Sequence, residues 1–220
     1  MIVPWNVDRL KVARKAWLKM LVGKYFDEGH NFVSPAILAD GTVLVDFELK
    51  PHIENKFALL FFYTMDFSYI CPTELFALGN RFQKFKQLNT EVIAISGDSH
   101  LSHMEWRNKP VELGGVGDLP FTMVSDISRK IARAYDVLVN DSMSLRASFI
   151  IDSKGYFRYQ AINDLPIGRN IDEILRVLDA LQTYQKTGKL LPAGWDKGKE
   201  TLTPTQHDLS DYMVRNAANL

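Results

Sequence analysis

The stretch ALLFFYTMDFSYICPTELFAL, residues 58–78, changes character twice within 21 positions. Ala58 to Thr64 is a continuous apolar run of strand length, the mark of a strand covered on both faces. Asp66 and Ser68 then fall in a turn-like stretch. Cys71-Pro72-Thr73-Glu74 opens a segment in which Leu75, Leu78, Phe82 and Phe85 recur at helical spacing. A proline just inside the start and a carboxylate in the first turn are helix-start signals. The reading is strand, polar turn, helix, with the chain's single cysteine in the first helical turn.

Outward from this unit the same alternation continues. Glu91 to Ser96 reads as a second buried strand and Ser102 to Asn108 as a short helix. Gly114 to Gly117 is a loop. Pro120 to Val124 reads as a strand, and Ser128 to Tyr135 as a helix whose start Asp126 or Ser128 caps. Ala147 to Asp152 and Tyr156 to Ala161 flank Ser153-Lys154-Gly155, a hairpin signal. Asp172 to Lys186 is a helix with Ile174, Leu175, Leu178 and Leu181 on one face. After Gly188 the pattern fails, and a polar tail follows. Strands alternating with helices around buried runs predict an α/β sheet finished by an antiparallel hairpin. There is no internal repeat and no low-complexity block.

The bulk composition agrees with one sizeable core. The chain has 220 residues, 46% of them hydrophobic and 24% charged, with a formal net charge of zero. Zero net charge argues against a nucleic-acid partner, and the aromatic run Phe61 to Tyr63 is core strand rather than a stacking platform. No apolar run reaches the roughly 18 residues of a membrane span. One cysteine excludes an intramolecular disulfide and suits a reducing, cytoplasmic location. No signal-peptide layout is visible at the start. The first 24 residues do carry Arg9, Lys11, Arg14, Lys15, Lys19 and Lys24 against only Asp8, with Val7, Leu10, Ala13, Trp17 and Leu21 at helical spacing. A basic amphipathic helix there reads either as a transit or membrane-surface segment or as a docked or solvated extension. The absence of Ser and Thr favours the extension.

A lone cysteine is by default a small buried hydrophobe. The context of Cys71 argues for more, because a helix N-terminus favours an anion and the thiolate is the nucleophilic form. Ser68, three residues earlier, can offer a hydroxyl to the sulfur or to a bound oxygen. Peroxide reduction needs little else than a thiolate and donors for the departing oxygen. His100 and His103 beside Glu105 invite a metal reading, but two ligands at that spacing are a weak signal. No metal, flavin or nucleotide is needed for the chemistry.

Phe61 to Glu74 resembles the active-site stretch of peroxiredoxins, in particular the alkyl hydroperoxide reductase or typical two-cysteine group. Asp98 to His103 through Trp106, Gly114 to Gly117, Arg146 to Asp152, Ile162 to Arg169 and Pro192 to Trp195 agree with that family in order and spacing. The resemblance spans about residues 40 to 200. It implies a thioredoxin-like fold with peroxiredoxin insertions, a central mixed sheet flanked by helices, and a C-terminal extension. On that reading residues 1–30 are an N-terminal extension, 31–186 the domain and 187–220 the tail. It implies Cys71 as the peroxidatic residue, Ser68 at the family's Thr/Ser position, and Arg146 as the arginine that lowers the thiol pKa and orients peroxide. Glu74 would hold an arginine in place, with Arg129 a weaker second-arginine candidate. It also implies a thiol reductant and a homodimer that assembles into a decameric ring.

Two positions depart from the family pattern. Thr64 stands where a proline is expected seven residues before the cysteine, which puts loop rigidity in question. Leu191 occupies the resolving-cysteine position before Pro-Ala-Gly-Trp, so the usual intersubunit disulfide cannot form. Oxidised Cys71 must then be reduced by an external thiol, and it is expected to be driven easily to sulfinic acid. Gly114 to Gly117 and Tyr212-Met213 resemble the elements that slow local unfolding in over-oxidation-prone relatives. A non-turnover peroxide sensor or chaperone-like oligomer on the same fold is the alternative.

Overall fold

The computed structural model of the protein describes residues 20–220. In chain order the elements are β1 (Val33–Ile37), β2 (Val43–Glu48), α1 (Leu49–Ile53), β3 (Phe57–Phe62), α2 (Cys71–Asn80), α3 (Phe82–Gln87), β4 (Thr90–Ser96) and α4 (His100–Asn108). They continue with β5 (Thr122–Ser125), α5 (Lys130–Ala134), β6 (Leu138–Val139), β7 (Met143–Ser144), β8 (Arg146–Ile151), β9 (Phe157–Asn163), α6 (Ile171–Thr187) and α7 (Gln206–Asn216). Seven strands form one sheet in the order β2-β1-β5-β4-β3-β8-β9. The centre, β3-β4-β5, is parallel, while β1, β2, β8 and β9 join antiparallel at the two sides. This is the mixed, helix-flanked sheet the sequence predicts.

The period-two rule of strands divides the apolar runs between two cores. Leu60, Phe62, Ile93 and Ile95 face one, shared with Phe149 and Tyr135. Leu59, Phe61, Tyr63, Val92 and Ala94 face the other, where Leu75 and Leu78 of α2 and Ile174 and Leu178 of α6 pack. All six residues of β3 are buried, and so are all six of β8. The sheet therefore carries α2 on one face with its first residue just beyond the carboxyl end of β3, the edge where a chain leaving a parallel strand exposes polar groups.

Several boundaries differ from the sequence reading. The strand expected from Pro120 begins at Thr122, and the helix expected from Ser128 begins at Lys130. The N-cap residue is Arg129, whose side chain makes no cap bond. The first turn is served instead by the Asp126 carboxylate, which accepts from the Ile131 and Ala132 N–H groups at 3.0 and 2.7 Å, with Ser128 Oγ accepting more weakly from Lys130 N–H at 3.4 Å. The tail is not irregular throughout, since Thr205 caps α7 by accepting from Asp208 N–H. Only Tyr212 of α7 is buried, and it lines a groove of about 450 Å³ with Pro192 to Trp195.

The amphipathic helix expected near the N-terminus lies almost wholly outside the described residues. From Leu21 the chain is already part of the fold. Leu21 and Phe26 are buried in the first core, and the segment pairs with the start of β9 through Gly23 N–H to Phe157 O, Phe157 N–H to Lys24 O and Phe26 N–H to Gly155 O. Gly155 turns the β8–β9 hairpin at φ +84°, where a Cβ would also press on the Tyr25 ring at 3.1 Å. Among the described residues no helix is long and apolar enough to cross a membrane.

Candidate active site

Cys71 is the first residue of α2, with Pro72 next and Glu74 in the first turn. Its side chain is fully covered, yet its sulfur has polar neighbours. Thr64 Oγ1 lies 3.1 Å from Sγ, and Arg146 Nη1 donates to it at 3.2 Å. Burial pushes the thiol pKa up, and hydrogen bonds from Ser68, Thr64, the Met65 backbone and Arg146 pull it down. The second group wins, and the thiol lies below its ordinary value. The sulfur therefore sits in a dry site among aimed donors that favour its thiolate form, the setting a nucleophilic cysteine requires.

Arg146 enters this site from the first residue of β8, adjacent to β3 in the sheet. Its Nε donates to Leu165 O at 2.7 Å, and Nη1 is shared between Cys71 Sγ and Glu74 Oε2, the latter at 2.9 Å. Glu74 lies one helical turn beyond Cys71, so its carboxylate returns to the same side. It accepts four bonds in all, three of them from Arg169: the backbone N–H at 2.8 Å, Nε at 2.9 Å and Nη2 at 3.0 Å. Arg169 is itself buried, donates to Ala147 O at 2.8 Å, and covers the Phe61 ring at 3.3 Å. Burial would raise the Glu74 pKa, but Arg169 and then Arg146 hold it below the usual carboxylate range.

The second arginine on Glu74 is thus Arg169 and not Arg129. Arg129 spends its guanidinium on the carbonyls of Gly97, Asp126 and Ser142. Arg129 stands near α5 in sequence and pins a loop there, whereas Arg169 closes the connection from β9 to α6. It was visible in the stretch Ile162 to Arg169, but nothing in sequence spacing ties that connection to Glu74.

The loop between β3 and α2 is anchored on both sides of Thr64. Tyr63 O accepts from Ser144 Oγ at 2.7 Å, and Tyr63 N–H donates to Ile95 O at 3.0 Å. Asp66 N–H donates to Asp98 Oδ2 at 2.9 Å. The buried Asp66 carboxylate receives Tyr63 O–H at 2.8 Å, Ser102 O–H at 2.7 Å and His103 Nδ1 at 2.8 Å. Phe67 then adopts φ +54° and lays its ring beside Trp106. The left-handed turn at Phe67 brings half-exposed Ser68 back to donate to Met65 O at 3.0 Å. The Ser68 hydroxyl is also among the groups that lower the Cys71 thiol pKa.

His103 is therefore a structural partner of Asp66, and its Nε2 faces Val124 O at 3.3 Å. Among the described residues no group of three His, Cys, Asp or Glu side chains is arranged to hold a metal. The Asp66 network and the Thr64–Cys71 contact were both missed by sequence reasoning. The only signal for the first was Asp66 in the turn after the apolar run and His103 in the stretch Asp98 to His103.

Residues 35–160 match the AhpC/TSA family, and residues 180–212 match the C-terminal domain of 1-Cys peroxiredoxin. The chain is 41% identical over 190 residues to alkyl hydroperoxide reductase C of Helicobacter pylori, covering 86% of this chain and 96% of that protein. It is 40% identical over 198 residues to peroxiredoxin-1 of Gallus gallus, covering 90% and 97%. Among solved structures, the reduced 2-Cys peroxiredoxin of Plasmodium vivax superposes with a TM-score of 0.84 at 37% identity, covering 89% of this chain and all of that one. AhpC of Enterococcus faecalis superposes at 0.69 with 32% identity, covering 79% of this chain and all of that one. With a single cysteine in such a setting, the chain belongs to the AhpC/TSA family and is a peroxiredoxin-type, thiol-dependent hydroperoxide reductase.

Proposed function

We propose that Cys71 reduces hydrogen peroxide and organic hydroperoxides through a sulfenic acid that an external thiol recycles. The observation that carries this reading is the buried Cys71 sulfur, hydrogen-bonded by Arg146 at the first turn of α2. The thiolate attacks the terminal oxygen of RO–OH. An S–O bond forms, the O–O bond breaks, sulfur is oxidised by two electrons, and the alkoxide takes a proton to leave as ROH. Arg146 orients the peroxide and stabilises charge on the departing oxygen. Ser68, half-exposed and able to swing its proton, serves the peroxide oxygen. Glu74 keeps the Arg146 guanidinium aimed, and Arg169 keeps Glu74 in place.

Leu191 offers no thiol, so the cycle closes through a reductant. One thiol displaces water from the sulfenic acid to give a mixed disulfide, and a second releases Cys71 as the thiol with a disulfide product. Family analogy supports homodimers that close into a decameric ring, and a reduced working thiol suits the cytoplasm.

Peroxide consumption with dithiothreitol or a thioredoxin, compared with Cys71→Ser, tests the reading. Steady turnover that is lost in the variant is expected. Rapid loss of the thiol in a single turnover, with no recycling by any thiol, would replace it with a peroxide sensor.

A further inference from the structure

We infer that Thr64 is an additional catalytic residue, a hydroxyl donor to the Cys71 thiolate that sets how readily the sulfur ionises. The inference rests on the proposed thiolate role of Cys71 and adds a group that the Ser68, Arg146 and Glu74 set does not include.

Thr64 is buried, and its hydroxyl stands 3.1 Å from Sγ. In the neutral state either atom can donate, but a thiolate has no proton, so on ionisation the hydroxyl must donate. The sulfur then has two aimed donors, Thr64 Oγ1 and Arg146 Nη1, from β3's end and from β8. A hydroxyl bond to an anion in a dry site is of the stronger, charge-assisted kind. The direction of the thiol's shift agrees, with the Thr64 bond among the groups that lower it.

The surroundings free Thr64 for this task. The backbone around it is held by Ser144 on Tyr63 O and by Asp98 on Asp66 N–H, and the Asp66 carboxylate is tied to Tyr63, Ser102 and His103. Position 64 is not required to stiffen the loop through a ring-locked φ. The side chain is available as a donor to the reacting atom.

The same bond has an opposing consequence. A donor that stabilises the thiolate also reduces its intrinsic nucleophilicity, and for thiols the two scale with a slope of about 0.4–0.5. Thr64 therefore exchanges reactivity per thiolate for a larger thiolate population at neutral pH and below.

The experiment is the pH profile of Cys71 alkylation by iodoacetamide in the full, reduced chain, read by intact mass; one cysteine makes the signal unambiguous. Thr64→Val removes the hydroxyl and keeps the shape. It should move the midpoint to higher pH and raise the alkaline plateau about threefold for a shift of about one pKa unit. It should also lower the rate in mildly acidic buffer about threefold, because the roughly tenfold smaller thiolate fraction is partly offset by the more reactive thiolate. Thr64→Ser, which keeps the hydroxyl, should return the midpoint most of the way. A midpoint unmoved in Thr64→Val, or rates lowered equally at every pH, overturns the inference, the latter because a loosened loop would act so. Alkylation needs no peroxide, so a failure of Cys71-dependent peroxide turnover in the parent protein would refute the peroxidase reading separately.

Discussion

Replacing Glu74 by Gln keeps the shape of the side chain and removes its charge. The carboxylate receives four donors from two buried guanidinium groups and one backbone N–H, at 2.8 to 3.0 Å. An amide offers one acceptor oxygen and points two N–H donors at the remaining donors. Two cations are then left in a site where Glu74, Arg146 and Arg169 are each less than a tenth exposed. Removing one partner of a buried ionic group costs about 3–5 kcal/mol. For a chain of this length that corresponds to a melting temperature lower by roughly 6–20 °C. Urea titration should show a lower midpoint with an unchanged slope. The pH dependence supplies a second check. The Glu74 pKa is depressed below 4.5, so its stabilisation is full above the unfolded value and is lost as pH falls through the depressed folded value. The gap between parent and variant should thus be widest near neutrality and close in acid. A loss below about 1 kcal/mol, the level of an exposed ion pair, or a gap that persists in acid would refute the account of Glu74 as the hub of the site.

Asp66→Asn strips the charge from a carboxylate that ties Tyr63, Ser102 and His103 together, and should cost about 3 kcal/mol in denaturant titration; an effect near zero would show that this network does not hold the loop. Because the Cys71 thiol lies below its ordinary value, its oxidation rate by peroxide should reach its plateau at lower pH than that of an unperturbed thiol and fall in acid. A rate that still climbs about tenfold per pH unit up to the ordinary thiol value of 9.0 would contradict it. Leu191→Cys restores a thiol at the position before Pro192, and peroxide should then produce a covalent dimer on non-reducing electrophoresis. A product that stays monomeric would count against the proposed homodimer. Graded peroxide in the absence of reductant should carry Cys71 beyond sulfenic to sulfinic acid by intact mass, and a population that stays at one added oxygen under large excess would refute that expectation.

The parts of the fold that sequence reading anticipated are those with one dominant physical demand. β3 is buried on both faces and appears as an unbroken apolar run, and β4 and β8 carry apolar stretches at Val92–Ile95 and Phe149–Ile151. α6 has a sustained apolar face and ends at Gly188, whose φ of +68° only a residue free of Cβ strain adopts easily. The hairpin at Ser153 to Gly155 announced itself by turn chemistry. β1 and β2 did not, because they lie at the sheet's side with mixed exposure, and β1 contains Pro35. α7 buries Tyr212 alone, too little to stand out from a polar tail. In the site, Cys71, Glu74 and Arg146 were legible because a helix start and a family pattern mark them. Arg169 and the Thr64 contact depend on how separate chain segments meet, and no local period encodes that meeting.

The antiparallel docking of residues 23–26 has a consequence for what else the sheet can accept. β9 is a terminal strand, and an unpaired margin of N–H and C=O groups is an invitation to any extended peptide. Here the Lys24 and Gly23 backbone has already claimed the Phe157 backbone, so a newcomer finds only the distal part of β9, where the Gln160 side-chain oxygen also accepts from Leu21 N–H. Strand addition along this margin would thereby be limited to the part of β9 beyond Phe157. Deleting the residues before Asp27 would open the whole length and turn a selective rim into an adhesive one.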